Sequence, residues 1–468
     1  MTLRLTAILG LTTLLLGCAP LPPEIQAERD SRRPLDVVVG PPVRLLDERP
    51  YYIAGLLSQD GKVHIFATDS EHRLHHFEID GDNVSLRELV GTSGKKIETS
   101  TLAAVEWPPG TLRVSDGSAE FVRDGVHRTW RKTEPNRCAR FAVAAGRLYC
   151  GFVMDGKDIG SPSRLDVYWG LMGILPIVIP VQSQSEKLVI AEAVEQDWIL
   201  RAVLDVNDPL DAQRNFLMGA DKQGFVDVLY AAKRGGLAFV IGPGGGAAGI
   251  SPGRVVRHIR VSSDALSGTM RGDADKPAKP RLALVGRDIG FPPMPGHDEP
   301  PAQGGDDPGR FRGFVLNPAT GTFEGLVHGF VAKGTLETGV HRFELVEDKW
   351  KQTATDFAFI WLTKGSCYMD VMALSADAAG TLHVVARSCI GASKYSYGYF
   401  RRHNGRWTKP VDLEVGAPPS RWRWEPYALL VARASSTYFV WTEEGSAFSD
   451  KAGSLWGRWI APRTDAPH

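Results

Sequence analysis

Five stretches of this 468-residue chain repeat one pattern, and that pattern constrains the fold more than any other feature. They are GLLSQDGKVHIFA (55–67), FAVAAGRLYCGF (141–152), FLMGADKQGFVDVLYA (216–231), MALSADAAGTLHVVA (372–386) and LLVARASSTYFVW (429–441). Each joins a strand of small apolar residues, a turn usually closed by glycine, and a strand alternating in Val, Leu, Phe or Tyr. Period-two alternation on both sides of a tight turn signals a β-hairpin. Weaker copies stand at WPPGTLRVS (107–115), SEKLVIAEA (185–193) and NPATGTFEGLVHG (317–329). Neighbouring copies are about 35–60 residues apart, and a further hairpin often follows, as in DSEHRLHHFEIDGDNVSLREL and YGYFRRHNGRWTKPVDL. Four strands every 40–50 residues or so is the period of a propeller blade. The expected fold is all-β: a single closed β-propeller of about seven four-stranded blades, six to eight by length, over residues 44–462.

Glycine (50) and proline (31) exceed ordinary usage, as a chain of many tight turns requires. Windows with helical spacing are few and interrupted by these residues. Tandem β-sandwiches would also be all-β, but one hairpin type runs from about 51 to 441 without a linker. The exception is about 266–312, polar and rich in proline and glycine, which reads as a flexible insertion with one strand at Arg281–Val285. Lysine plus arginine equals aspartate plus glutamate, 54 each, so charge gives no reason to expect a nucleic-acid partner. The apolar run GLMGILPIVIPV (170–181) is short and holds two prolines, unlike a membrane span.

The N-terminus carries a different signal. Arg4 precedes an apolar run from Leu5 to Leu16, too short for a bilayer but suited to a secretory leader. It ends in Leu15-Leu16-Gly17-Cys18, which resembles the lipobox of bacterial lipoproteins. That resemblance implies cleavage after Gly17 and a lipid-modified Cys18 as the mature N-terminus, with 1–17 as the signal peptide. Ala19, rather than Asp, follows the cysteine, and in that family this favours the outer membrane of a two-membraned bacterium. Acyl chains anchor by burying methylenes, each contributing about 0.8 kcal/mol. Residues 18–43, rich in proline and charge, read as an extended tether reaching some tens of Å at about 3 Å per residue.

Export agrees with the remaining cysteines. Cys138, Cys150, Cys367 and Cys389 are even in number, which in an oxidising compartment suggests two disulfides. Each of 138/150 and 367/389 flanks two strands around an Ala-Ala-Gly turn, with its midpoint close to the turn. The pairs 138–150 and 367–389 are therefore expected across their hairpins.

The segment SADAAGTLHVVA…YGYFRRHNGRWTKP resembles the repeats of sialidase-like (Asp-box) propellers, whose pattern is of the form Ser-x-Asp-x-Gly-x-Thr-Trp. Ser375, Asp377, Gly380 and Thr381 approach it, with one extra residue and Leu382 in place of Trp; Ser58-Gln59-Asp60-Gly61 is a shorter echo. The resemblance covers a few turns and implies the fold alone. The arginine triad, tyrosine–glutamate nucleophile pair and acid/base aspartate of true sialidases do not map onto this chain.

Other motifs carry no recognisable chemistry. GPGGGAAG (242–249) superficially matches a dinucleotide fingerprint, but Ser251-Pro252-Gly253 stops the helix that would hold a pyrophosphate, so it reads as a loop between strands. HIFATDSEHRLHHFE holds His64, His72, His75 and His76; a turn at Ser70-Glu71 puts His64 and His75 on one solvated strand face, too few ligands for zinc. DVNDPLD (205–211) lacks the glycine of a calcium loop. No cofactor or metal is implied, and no catalytic pair is evident.

Two function classes remain. One is a membrane-anchored binding or scaffold module whose loops take an envelope protein or a glycan; the other is a carbohydrate-active enzyme on a sialidase-like scaffold. In a propeller, residues just before each innermost strand ring one mouth of the funnel. Taking IAGLLS, RFAVAA, NFLMGA, DVMALS and YALLVA as innermost, those residues include Tyr51, Tyr52, Arg140, Arg214, Asn215, Asp370, Trp424 and Glu425. Aromatic faces with arginine and carboxylate would suit a sugar or peptide. Capping strand ends would explain the same residues.

Overall fold

The computed structural model describes residues 23–463 apart from segments within that span, the longest being 90–101, 156–165, 205–215, 269–281, 290–312, 359–369, 416–427 and 443–452. The described chain forms seven antiparallel blades that follow one another in sequence. Their innermost strands are Tyr52–Leu57, Ala103–Glu106, Arg140–Ala144, Phe216–Ala220, Phe314–Asn317, Asp370–Ala376 and Ala428–Arg433. Each innermost strand touches the next, and the seventh touches the first, which closes the ring. All five innermost strands singled out in the sequence hold that place. The other two are the short ones, Ala103–Glu106 and Phe314–Asn317, whose hairpins are the weaker copies at 107–115 and 317–329.

The innermost strands are small because the ring leaves little room at its centre. A Cβ on Gly55 would lie 2.6 Å from Leu429 and 2.9 Å from Val431, both on the neighbouring seventh blade. Between blades the core is larger: Phe66, Leu74, Val114 and Phe121 pack blade 1 on blade 2, and Leu35, Tyr399, Phe439 and Trp441 help join blades 6 and 7. Alternation in the second and third strands thus feeds both faces of every blade.

Hairpin turns between first and second strands recur in geometry. In blades 1, 4 and 6 the turns 58–62, 221–225 and 377–381 make the same two backbone bonds, with Gly61, Gly224 and Gly380 at φ of 80°, 85° and 84°. That region favours glycine, hence the Gly of the repeat. In blades 4 and 6 an aspartate ties the turn: Asp221 Oδ1 accepts from Gln223 and Phe225, and Asp377 Oδ1 from Ala379 and Thr381.

Several expectations are corrected. The stretch 18–43 is not an extended tether throughout. A helix, α1 (Pro23–Ser31), buries Ile25, and Val37–Val39 and Val43–Leu46 both pair with the last strand, Leu455–Pro462. The apolar Val-Val-Val and Leu-Leu pairs supply the outermost layer of blade 7, so the propeller begins before residue 44. Within 266–312 the strand expected at Arg281–Val285 is present as Leu282–Leu284, parallel to Asp197–Leu204 of blade 3, and a second strand that was not expected, Arg287–Ile289, is outermost in blade 4. The segment 170–181 includes the strand Leu175–Ile179, paired with Asp166–Gly170.

Cys138 and Cys150 are joined, with Cα atoms 5.5 Å apart. They are not directly opposed: Cys150 pairs in register with Phe141, and Cys138 lies before the strand begins. The turn at Ala145-Gly146 sits beyond the midpoint of the pair, so the bridge is diagonal. The proposed 367–389 bridge, Cys18, and the stretch DVNDPLD lie outside the described residues or side chains. Of GPGGGAAG, 242–248 lie outside the described residues; Gly249–Ile250 pairs with Phe239–Val240.

Candidate functional site

Innermost strands all run the same way, so the propeller has a mouth where they start and an opposite mouth where they turn. Of the residues expected to bind, Tyr51, Tyr52 and Arg140 stand at the first, where their strands begin. Tyr51 is 46% exposed there, its ring 6.4 Å from that of Tyr52. Tyr52 instead leans into the seam between blades 1 and 2, against the cluster of Ala54, Phe66 and Leu102. Arg140 is half-buried; its guanidinium donates to the Ala139 carbonyl at 2.7 Å and lies 5.7 Å above the Phe216 ring, across the seam between blades 3 and 4. Burial lowers its pKa. Asp370 opens the sixth innermost strand opposite Arg387 in register. Arg214, Asn215, Trp424 and Glu425 lie outside the described residues, as does the Asp370 side chain. Of the eight, Tyr51 is thus the described side chain that is openly presented.

At the opposite mouth the turns of neighbouring blades nest against one another. Trp107 of blade 2 donates its indole N–H to the Gly146 carbonyl of blade 3 at 3.0 Å, and Asn317 of blade 5 donates to the Gly380 carbonyl of blade 6 at 3.3 Å. Between blades 1 and 2 this floor opens into a cleft of about 420 Å³. It is lined by Ser58, Gln59, Asp60, Lys62, His64, Glu78, Glu106, Gly110, Leu112 and Arg123. That volume falls in the range of small-ligand sites.

Most of the lining residues are polar or charged, and their charges are fixed. Glu78, on the third strand of blade 1, accepts from Lys62 at 2.7 Å and from Arg123 of blade 2 at 3.0 Å. Burial alone would raise the Glu78 carboxyl, but the hydrogen bonds and charges of Lys62 and Arg123 outweigh it and hold the pKa down to about 2. The bond to Glu78 in turn raises Lys62. Glu106 bridges the blades, accepting from the backbone N–H of Gln59 at 2.7 Å and of Gly110 at 2.7 Å. Among the described residues Glu106 has no cationic partner, so three carboxylates face two cations.

Behind this layer sits a serine–histidine contact. His64 Nε2 is 3.0 Å from Ser58 Oγ, and His64 Nδ1 is 2.9 Å from His76 Nε2. Ser58 has one proton to give, yet its hydroxyl also faces the Asp60 carboxylate in a very short contact and the Lys62 carbonyl at 2.9 Å. Burial would raise Asp60, but its bond from Ser58 and the nearby Lys62 keep it lowered and ionised. Neither oxygen can donate, so the serine proton goes to one of them and His64 Nε2–H must donate to Ser58. Burial pushes His64 down to about 4, consistent with a neutral ring. A ring that donates to the hydroxyl cannot take its proton, so the trio holds the turn rather than activating a nucleophile.

This corrects the sequence reading of the histidines. The turn is centred so that Thr68 pairs with Leu74 and His64 with Glu78. One residue of register moves His76, not His75, onto the His64 face. All three are buried rather than solvated. His75 instead bonds Asp69 at 2.8 Å. The cleft itself was missed, although Ser58-Gln59-Asp60-Gly61 stood out as a turn. In LHHFEID, Glu78 and Asp80 alternate with Phe77 and Ile79, which reads in the sequence as a solvent-facing edge, so the buried cations of Glu78 left no local signal.

Comparison with models of known protein families finds no match, and neither does comparison with curated protein sequences. Solved structures that resemble the chain include the polysaccharide lyase Uly1 (9% identity, 91% of this chain and 100% of that one, TM-score 0.45). Others are a lectin of Aleuria aurantia in complex with Fucα1-6GlcNAc (11%, 92% and 100%, 0.30) and dipeptidyl peptidase 4 of Porphyromonas gingivalis (11%, 92% and 59%, 0.36). Resemblances this distant assign no activity, and the fold stands on the strand pairing itself.

Proposed function

We propose that this chain is a lipid-anchored envelope protein of a two-membraned bacterium whose propeller binds a glycan in the cleft between blades 1 and 2. Support for the anchor is the short apolar leader ending in Leu-Leu-Gly-Cys18. The observation that carries the binding reading is the preset polar lining. Glu78, Lys62 and Arg123 are held by one another, and Glu106 by two backbone amides, so little rearrangement is needed to receive hydroxyl groups. Sugar hydroxyls both donate and accept, which suits carboxylates alternating with cations and the Gln59 amide. The serine–histidine geometry above favours binding over nucleophilic chemistry.

The test is a screen of envelope-type oligosaccharides against the soluble propeller starting at residue 23, followed by calorimetry on hits. Glu106→Gln and Gln59→Ala are expected to weaken binding at least tenfold. Absence of any glycan binding, or hits indifferent to both substitutions, would overturn the reading. Cleavage of a bound oligosaccharide would favour the enzyme class instead. Separately, a fatty-acid probe is expected to label the parent chain and not Cys18→Ala; equal labelling would remove the anchor.

A further inference from the structure

We propose that the outer edge of blade 7 is a membrane-docking rim, seated on the bilayer that holds the lipid of Cys18; this rests on the anchored reading above. The first argument is reach. Cys18 is five residues before Pro23, where α1 begins, a span of at most about 18 Å when fully extended. From α1 onward the chain is tied to the body. Ile25 is buried, the Arg33 carbonyl accepts from the Lys409 amide at 3.0 Å, and Leu35 lies in the core shared by blades 6 and 7. A lipid at Cys18 therefore keeps this sector of the ring against the membrane surface.

The second argument is what that sector presents. Residues 37–46 run along the free side of the last strand, with Gly40 donating to the Trp459 carbonyl at 2.9 Å between the two short strands. Val38 and Val43 are 49% and 36% exposed, and Pro41 and Pro42 between them are exposed too. Six large apolar side chains are exposed among the described residues, and two of them fall on this ten-residue edge. An outward edge strand ordinarily carries charge to discourage pairing, whereas this one offers valine and proline. Cations flank it: Arg33 and Lys409 are exposed and make no ion pair among the described residues, and Arg44 and Arg463 pair only with exposed carboxylates. An apolar strip with basic flanks beside an acyl anchor supplies the second contact that stable attachment needs. A ring resting on its rim has its axis parallel to the bilayer. Both mouths, and the cleft between blades 1 and 2, then open sideways along the membrane.

The test uses the full lipidated chain in vesicles containing lipids with nitroxide headgroups. A bimane fluorophore is placed at Val38→Cys or, across the ring on the outermost strand of blade 4, at Arg287→Cys, with the signal of the parent chain subtracted. Quenching at position 38 is expected to exceed that at 287 at least threefold. Equal quenching, or none at 38, overturns the docking rim. Fatty-acid labelling of Cys18 in the same preparation separates the two ideas. Labelled protein without quenching at 38 defeats the rim alone, and unlabelled protein defeats the anchor on which it rests.

Discussion

His64 and Glu78 show how single residues set the acid limit of the fold. His64 is buried and neutral, its folded pKa depressed from 6.5 to about 4, so the unfolded chain binds its proton first as pH falls. The stability it permits is present above about 6.5 and lost as pH drops through 4. Glu78 is depressed from 4.5 to about 2, so the stability it contributes is present above about 4.5 and lost on the way to 2. Chemical denaturation at stepped pH is expected to show a plateau at neutrality and a fall with two acid components. His64→Gln, which still accepts from His76 and donates to Ser58, should flatten the first; an unchanged acid profile would mean that the histidine is not held neutral. Glu78→Gln should cost about 2 kcal/mol at neutral pH, less than a fully buried pair because Lys62 is 27% exposed. The Ser-Gln-Asp-Gly turn was legible because its geometry is local. The Glu78–Arg123 contact was not, since those residues are 45 apart and meet only once blade 2 has docked on blade 1.

Elements divide the same way. Hairpins with a five-residue Gly turn were read directly, because alternation and a left-handed glycine are both visible in a short window. Blade 2 was read poorly: its innermost strand is four residues long, and Pro108-Pro109 replaces the usual polar turn. The disulfide was legible as a pairing but not as a diagonal, since half-spacing locates a turn only to within a residue or two. Its contribution belongs to the hairpin. Closing a loop with 12 residues of sequence separation restricts the unfolded chain by about 3 kcal/mol. Replacing Cys138 and Cys150 together with alanine is expected to lower stability by about 2–3 kcal/mol without changing the far-ultraviolet spectrum. A difference below about 0.5 kcal/mol would mean that the packing of blade 3 already imposes the constraint. Peptide mapping of the unreduced chain decides the Cys367–Cys389 expectation in the same experiment.

At the scale of the whole molecule, chain length and blade period bounded the number of blades at six to eight, but how the ring closes could not be read. The closing strands are three and four residues long and sit in a proline-rich stretch that reads as a linker; their partner, Leu455–Pro462, is at the far end of the chain. No window of sequence contains both. In the structure this closure makes the N-terminal segment part of the core: Leu35 packs with Tyr399, Phe439 and Trp441, while Leu45 and Leu46 pack with Ile65, Phe77 and Val440 of blades 1 and 7. Losing three buried leucines removes about 5–8 kcal/mol of apolar burial, before counting the backbone bonds to the last strand. That is comparable with the total stability of an ordinary domain. A chain starting at residue 47 is therefore expected to be insoluble or to unfold without a cooperative transition, its last strand left as an open edge. A chain starting at residue 23 retains both closing strands and should melt cooperatively, with the same Tm as the full-length protein. Thermal denaturation of the two truncations side by side checks this. If the version starting at 47 melts within a few degrees of the longer one, blade 7 closes the ring with its own three strands and the N-terminal segment is dispensable to the fold.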